Sequence, residues 1–179
     1  MNTARKTRGN YYQQALKEVL REKARLAKVP DVIPSETMSR EDSPQGRILH
    51  LLNHKMGTKA RGVELYLQEI PAGGRSGKHR HMSEELVFVL SGKGHDLHWD
   101  VEVTMSERVE WKIDEKPRRF DWEEGDAVLI PVNTVHKHFN DDAEKPALII
   151  CATSPIYRYL GYHDLEQLEP CPEYKGKKE

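Results

Sequence analysis

Beyond Gly46 the chain is cut into short apolar or alternating runs: Ile48 to Leu52, Val63 to Ile70, Glu85 to Leu90, His95 to Val103, Val109 to Ile113, Arg119 to Trp122, Ala127 to Val132, Val135 to Phe139 and Ala147 to Ala152. Turn clusters separate them, such as Pro71-Ala72-Gly73-Gly74, Ser91-Gly92-Lys93-Gly94, Glu124-Gly125-Asp126 and Asn140-Asp141-Asp142. Apolar positions that recur every second residue fit a pleated strand with one buried face, not a helix. Short strands at near-regular spacing, with no helices between them, predict an all-β barrel or sandwich. About ten strands of ordinary length with their turns need roughly 110 residues, and Gly46 to Pro155 provides them. No internal repeat is present, so the barrel is single.

The N-terminal segment has a different period. From Asn10 to Lys28, Tyr12, Leu16, Val19, Leu20 and Ala27 recur at helical spacing between Glu and Lys/Arg, which predicts one amphipathic helix. Pro30 and Pro34 end it and open an extended polar connector through Asp42, Ser43, Pro44 and Gly46. A single helix before two prolines does not make a helix-turn-helix. At the other end, Asp164 to Leu168 is predicted as a short helix before a Lys-rich tail. The organisation is therefore residues 1–45 as helix and connector, 46–155 as barrel, and 156–179 as a partly mobile extension.

With 28 Lys+Arg against 29 Asp+Glu the net charge is -1, which lacks the basic excess of a dedicated nucleic-acid binder. The charge is uneven: residues 1–28 carry eight Lys/Arg and two Glu, leaving the remainder acidic. No apolar stretch is long enough to span a bilayer, and Met1 to Asn10 has no secretory apolar core, so a cytoplasmic location without membrane contact is expected. Two cysteines make no disulfide framework. Cys151, in an apolar run, reads as a buried thiol, and Cys171, in the polar tail, as an exposed bystander.

The chemistry gathers in two places. Gly73 to Gly92 contains His79-x-His81, three residues, then Glu85; these share parity and would project from one face of a strand. Gly125 to Asn140 adds His136 after a tight turn on another strand. Three imidazoles and one carboxylate suit a divalent first-row ion and leave open positions for a bidentate substrate, water or dioxygen. Glu84 has the wrong parity to compete with Glu85. His138 shares the parity of His136 and is the candidate hydrogen-bond donor or acid/base group beside the ion.

These segments resemble the paired signatures of the cupin superfamily, Gly-x5-His-x-His-x3or4-Glu-x6-Gly and Gly-x5-Pro-x-Gly-x2-His-x3-Asn. They match at every fixed position except Asn133, which stands where the second signature has glycine; Asn tolerates a left-handed backbone best among the other residues. The resemblance implies a cupin-type double-stranded β-helix, a jelly-roll barrel, carrying the N-terminal helix and short C-terminal extension. It also implies a metal held by His79, His81, Glu85 and His136. The wording from Lys78 to Gly94 and from Pro131 to Asn140 is similar to the gentisate 1,2-dioxygenase-like branch, which implies non-haem Fe(II) and dioxygen acting on a small aromatic or hydroxylated carboxylate substrate. That branch's known members are larger two-barrel chains with three histidine ligands, and the extra Glu85 here is a departure.

Mn, Ni or Zn could replace Fe(II), since ligand types alone do not select among them. The alternatives to a dioxygenase are a non-redox lyase, isomerase or decarboxylase, and a non-catalytic small-molecule binder. For substrate, Arg80 and Arg118 offer cations near the mouth, Trp99 alternates with Leu97, Val101 and Val103 as core or pocket wall, and Tyr66 lies in a strand of open register. His98 then faces away. The helix has no place inside a barrel, so its apolar stripe covers the outside or a second subunit, and a homodimer is expected.

Overall fold

The computed structural model describes residues 9–107, 109–161 and 165–176. Helix α1 runs Tyr11–Leu26 with Lys23 and Arg25 in its last turn, where positive charge complements the helix dipole. It has no buried residue. Polar contacts hold it: Glu22 bonds Arg25 and Arg61, and the Arg25 guanidinium donates to the Gly57 carbonyl at 3.0 Å.

The strands follow in order: β1 Ser39–Ser43, β2 Gly46–Leu52, β3 Glu64–Ile70, β4 Lys78–Arg80, β5 Glu85–Ser91, β6 Lys93–Trp99, β7 Val101–Met105, β8 Val109–Ile113, β9 Arg118–Glu123, β10 Ala127–Ile130, β11 Val135–Asn140, β12 Ala147–Thr153 and β13 Glu166–Glu169. Among the described residues they form a six-stranded sheet β1-β2-β3-β12-β5-β10, a five-stranded sheet β13-β4-β11-β6-β9 and a separate hairpin β7-β8. The two larger sheets face each other as an antiparallel jelly roll, as the alternation predicted.

The two sheets contribute different chemistry to the shared interior. In β5, Val87 and Val89 are buried while Leu86, Phe88 and Leu90 are exposed. With Ile70, Trp122, Ile130, Ala147, Ile149 and Cys151 they make the apolar core, each aliphatic side chain contributing on the order of 1.5–3 kcal/mol. The second sheet instead turns Asp96, His98, His136 and His138 inward, all buried. At Gly94 any side chain would collide with the Phe139 carbonyl and the Trp122 ring, so glycine there lets Trp122 pack deep enough to reach Asp96.

The C-terminal extension departs from the sequence reading in two places. The segment predicted as a C-terminal helix is a strand where it is described: β13 pairs with β4, Gln167 lying opposite His79, and Asp164 falls outside the described residues. An open sheet edge offers that segment backbone partners that override its weak local preference. A short helix α2 lies earlier, at Ile156–Tyr159. Cys171 is buried rather than exposed, because its amide donates to the Pro44 carbonyl at 2.7 Å and pins the following turn to the barrel.

Candidate metal centre

His79 on β4 lies directly opposite His136 on β11, with ring centroids 4.1 Å apart. His81 follows the end of β4, and its ring is fixed by a 2.8 Å bond from Nδ1 to the Ser83 carbonyl. The chain then turns and enters β5 in the opposite sheet, so Glu85 approaches from across the barrel. The shared parity of His79, His81 and Glu85 is therefore not the geometry that unites them: they lie on two strands and a turn. One donor atom from each of His79, His81, Glu85 and His136 nevertheless lies within 4.8 Å of the others.

The tight turn before β11 works as anticipated. Asn133 adopts a left-handed backbone with φ 62°, and its amide donates to the His81 carbonyl at 3.1 Å, tying the turn to the end of β4. Asn140 closes the far end of β11 by donating to the Ile70, Pro71 and Lys145 carbonyls. These clamps fix the register of β11, which in turn fixes the direction of His136.

Burial pushes His79 and His136 well below the ordinary imidazole pKa, reinforced by each ring's histidine neighbours. Both are neutral near pH 7 and present lone pairs. Burial also opposes charge on His81, but its 3.1 Å contact with Glu85 outweighs this and raises it. Burial likewise favours a protonated Glu85, yet His81 and the other imidazoles hold its carboxyl down to about 2. The carboxylate also accepts from the Tyr66 hydroxyl at 3.1 and 3.2 Å.

His138 is fully buried next to this group, with Nε2 4.0 Å from Glu85 Oε1. Its Nδ1 bonds Asp96 at 2.9 Å, and the same Asp96 oxygen accepts from the Trp122 indole at 2.8 Å. The Asp96 contact overcomes burial and raises the His138 pKa, while His138 in return keeps Asp96 ionised well below its ordinary value despite its own desolvation. Sequence reasoning missed Asp96. The signal was present: Asp96 and His98 alternate with Leu97 and Trp99, as on a strand with a polar-lined inner face.

The four substrate candidates separate. Tyr66 is at the centre. Arg118 is exposed and bound to Asp100 at 2.6 Å, but it lies opposite His98 on β6 and so shares the inward face at the rim. Arg80 is turned away from the four donors, because His79 and His81 on either side point inward; it bonds Asn133 and Glu166 and stacks on Trp111. Trp99 also faces outward, with the Lys78 ammonium 4.0 Å from its ring centroid. Its parity partner is reversed from the prediction: His98 faces inward, 6.4 Å from the His136 ring, since β6 pairs with β11 by placing His98 opposite His136.

Residues 66–153 match the Cupin domain family. The fold is of the cupin type. Among solved structures, a variant of Bacillus subtilis oxalate decarboxylase superposes with a TM-score of 0.58 at 16% identity, over 79% of this chain and 33% of that one. A structure of the same enzyme used to assign its Mn(II) centres gives 0.55 at 17%, over 70% and 30%. Vicilin from Corylus avellana (hazelnut) gives 0.55 at 19%, over 75% and 36%. This chain spans about a third of the length of these proteins, and the likeness concerns the fold alone.

The cupin interior fits a cation. Buried His79 Nδ1, His136 Nε2 and His138 Nε2 have no hydrogen-bond partner among the described residues, a costly state in a protein interior that a bound ion relieves for atoms aimed at it. The other ring nitrogen of His136 bonds the Thr134 carbonyl at 3.0 Å. Fixing one ring nitrogen to orient the other is how proteins present histidine to metals. A cavity of about 530 Å³ lies elsewhere, between the β1–β2 hairpin and residues 171–176, and touches none of the four donors.

Proposed function

We propose that this chain is a metal-dependent cupin enzyme, a non-haem Fe(II) dioxygenase acting on a small aromatic or hydroxylated carboxylate. The observation that carries the reading is the convergence of three imidazoles and one carboxylate, two of the imidazoles held neutral by burial. His79, His81, Glu85 and His136 would hold the ion, which supplies a centre where a chelating oxygen substrate and dioxygen meet. The chain's own groups do the rest. Tyr66 orients Glu85, the Ser83 and Thr134 carbonyls fix two rings, and the apolar core beneath excludes water. His138, braced by Asp96, presents Nε2 for holding or moving a proton at that site.

A second reading, a non-redox lyase, isomerase or decarboxylase, is favoured by the same Asp96–His138 pair. A buried, carboxylate-braced imidazolium is suited to protonating a carbanion, which needs no oxygen. The quaternary state proposed is a homodimer: the apolar face of α1, including Leu16, Val19 and Leu20, is uncovered within the protomer, and its basic charge complements the acidic remainder.

Anaerobic purification with metal analysis, followed by oxygen uptake with catechols, gentisate and hydroxybenzoates, tests the proposal. Oxygen consumption matched to ring-opened product supports the dioxygenase. Turnover that proceeds without oxygen supports the second reading, and metal-dependent ligand binding without turnover refutes both in favour of a non-catalytic binder.

A further inference from the structure

Glu85 faces two ways. Its Oε2 lies 3.1 Å from His81 Nε2, within the outer cluster, whereas Oε1 looks deeper into the barrel toward His138 Nε2 at 4.0 Å. Cys151, fully buried on β12, completes a second trio: one donor atom each from Glu85, His138 and Cys151 lies within 4.8 Å of the others. We propose that these three residues form an inner cation site, distinct from the outer cluster and sharing Glu85 with it, for a soft or borderline ion such as Zn(II) or Cd(II).

His138 is arranged as a ligand. Its Nδ1 is bonded to a carboxylate, Asp96, and its Nε2 is fully buried, without a hydrogen-bond partner among the described residues, and aimed at the trio. A carboxylate behind an imidazole that points at a cation is the usual outer support of metal-bound histidine. The donor set is also distinctive: thiolate, imidazole and carboxylate together select Zn(II)-like ions, whereas the outer cluster contains no sulfur. A carboxylate has enough lone pairs to serve an ion on each side. Zinc bonds of about 2.0–2.3 Å require the three donors to close by roughly 1 Å, a side-chain adjustment.

Charge agrees with this placement. Asp96 is buried beside the trio that Glu85 belongs to, its Oδ2 3.5 Å from His98 Nε2. A cation there is surrounded by two carboxylates and the thiolate it forms on displacing the Cys151 proton to solvent. Occupancy also takes His138 Nε2 away from proton transfer, so an ion in the inner site inhibits whatever reaction the outer site performs.

Cadmium titration of the metal-free full-length chain tests the site, because a thiolate–cadmium bond gives an ultraviolet charge-transfer band that nitrogen and oxygen ligands do not. A band that saturates with one thiolate per chain is expected. It persists in His136→Ala, which cripples the outer cluster, and in Cys171→Ser, and disappears in Cys151→Ser. Asp96→Asn, which removes no donor, weakens cadmium binding at the thiolate about 10–100-fold. Sulfur scattering in the cadmium X-ray absorption spectrum of the wild-type chain gives a second measurement independent of variants. Absence of both signals in the folded wild-type chain, or a band that survives Cys151→Ser, overturns the proposal. Neither result depends on whether the protein turns over any substrate.

Discussion

The Tyr66 hydroxyl on β3 reaches across β12 and donates to the Glu85 carboxylate on β5, lying 3.1 and 3.2 Å from its two oxygens. Burial and the neighbouring Cys151 and Glu85 push the phenol well above its ordinary pKa, so it remains a donor throughout the physiological range. Tyr66→Phe keeps the ring and removes the bond. The metal-free protein should lose about 1.5–3 kcal/mol of stability in urea unfolding, the usual worth of a hydrogen bond to a charged group. The outer-site metal affinity should fall about tenfold, as for other groups that orient a ligand. An unchanged dissociation constant would show that Tyr66 does not position Glu85.

Removing the outer ion leaves its neutral imidazoles without partners in a desolvated site. At metal concentrations near 100 times the dissociation constant, binding adds about 2.7 kcal/mol to folding. Chelation should therefore lower Tm by roughly 5–10 °C for a chain of this size, and restoring Fe(II) or Mn(II) should recover it. Calorimetry with and without chelator reads the shift. Equal midpoints would mean that no ion stabilises the barrel.

Acid should release the helix before it unfolds the barrel. Bonds to Arg25 and then Arg61 hold the Glu22 carboxyl down to about 2 from an ordinary 4.5. A depressed acid contributes fully above its unfolded value and loses that contribution as pH falls through its folded value. Between about pH 4.5 and pH 2 the tie from α1 to Arg61 should weaken, read as faster amide exchange in residues 11–26 while the barrel strands stay protected. Glu22→Gln should show that faster exchange already at pH 7 and no acid step of its own.

The proposed dimer rests on the uncovered stripe of α1. Leu16→Asp combined with Leu20→Asp places charge at two exposed positions, so protomer stability should change by no more than about 0.5 kcal/mol per substitution. Light scattering should then report half the wild-type mass. A mass that does not change, whether dimeric or monomeric in both proteins, rules out a dimer built on this helix.

Much of the candidate site could be read from the chain because each metal-ligand candidate is punctuated by residues with strict backbone requirements. Asn133 at φ 62° and Asn140 across three carbonyls behave as their places in the motif imply. The misreadings came from extending strand parity across turns. Trp99 and His98 exchanged faces because the rule gives alternation without saying which face is inside; pairing of His98 with His136 decides that. Arg80 followed its own strand's alternation outward. Cys151 was invisible as a site residue because its neighbours in space come from other strands, and Asp96 was marked only by its alternation with Leu97.

Local sequence determined the succession of strands and turns, the single amphipathic helix, and the four ligand-type side chains, since these depend on periodicity and backbone preference within a few residues. Tertiary structure decided that Glu85 comes from the opposite sheet, that a C-terminal segment completes the edge beside β4, and that Tyr66, Asp96, His138 and Cys151 enclose the ligands. Those outcomes depend on which strands pair and in what register, a long-range choice made by burying one face of each sheet against the other.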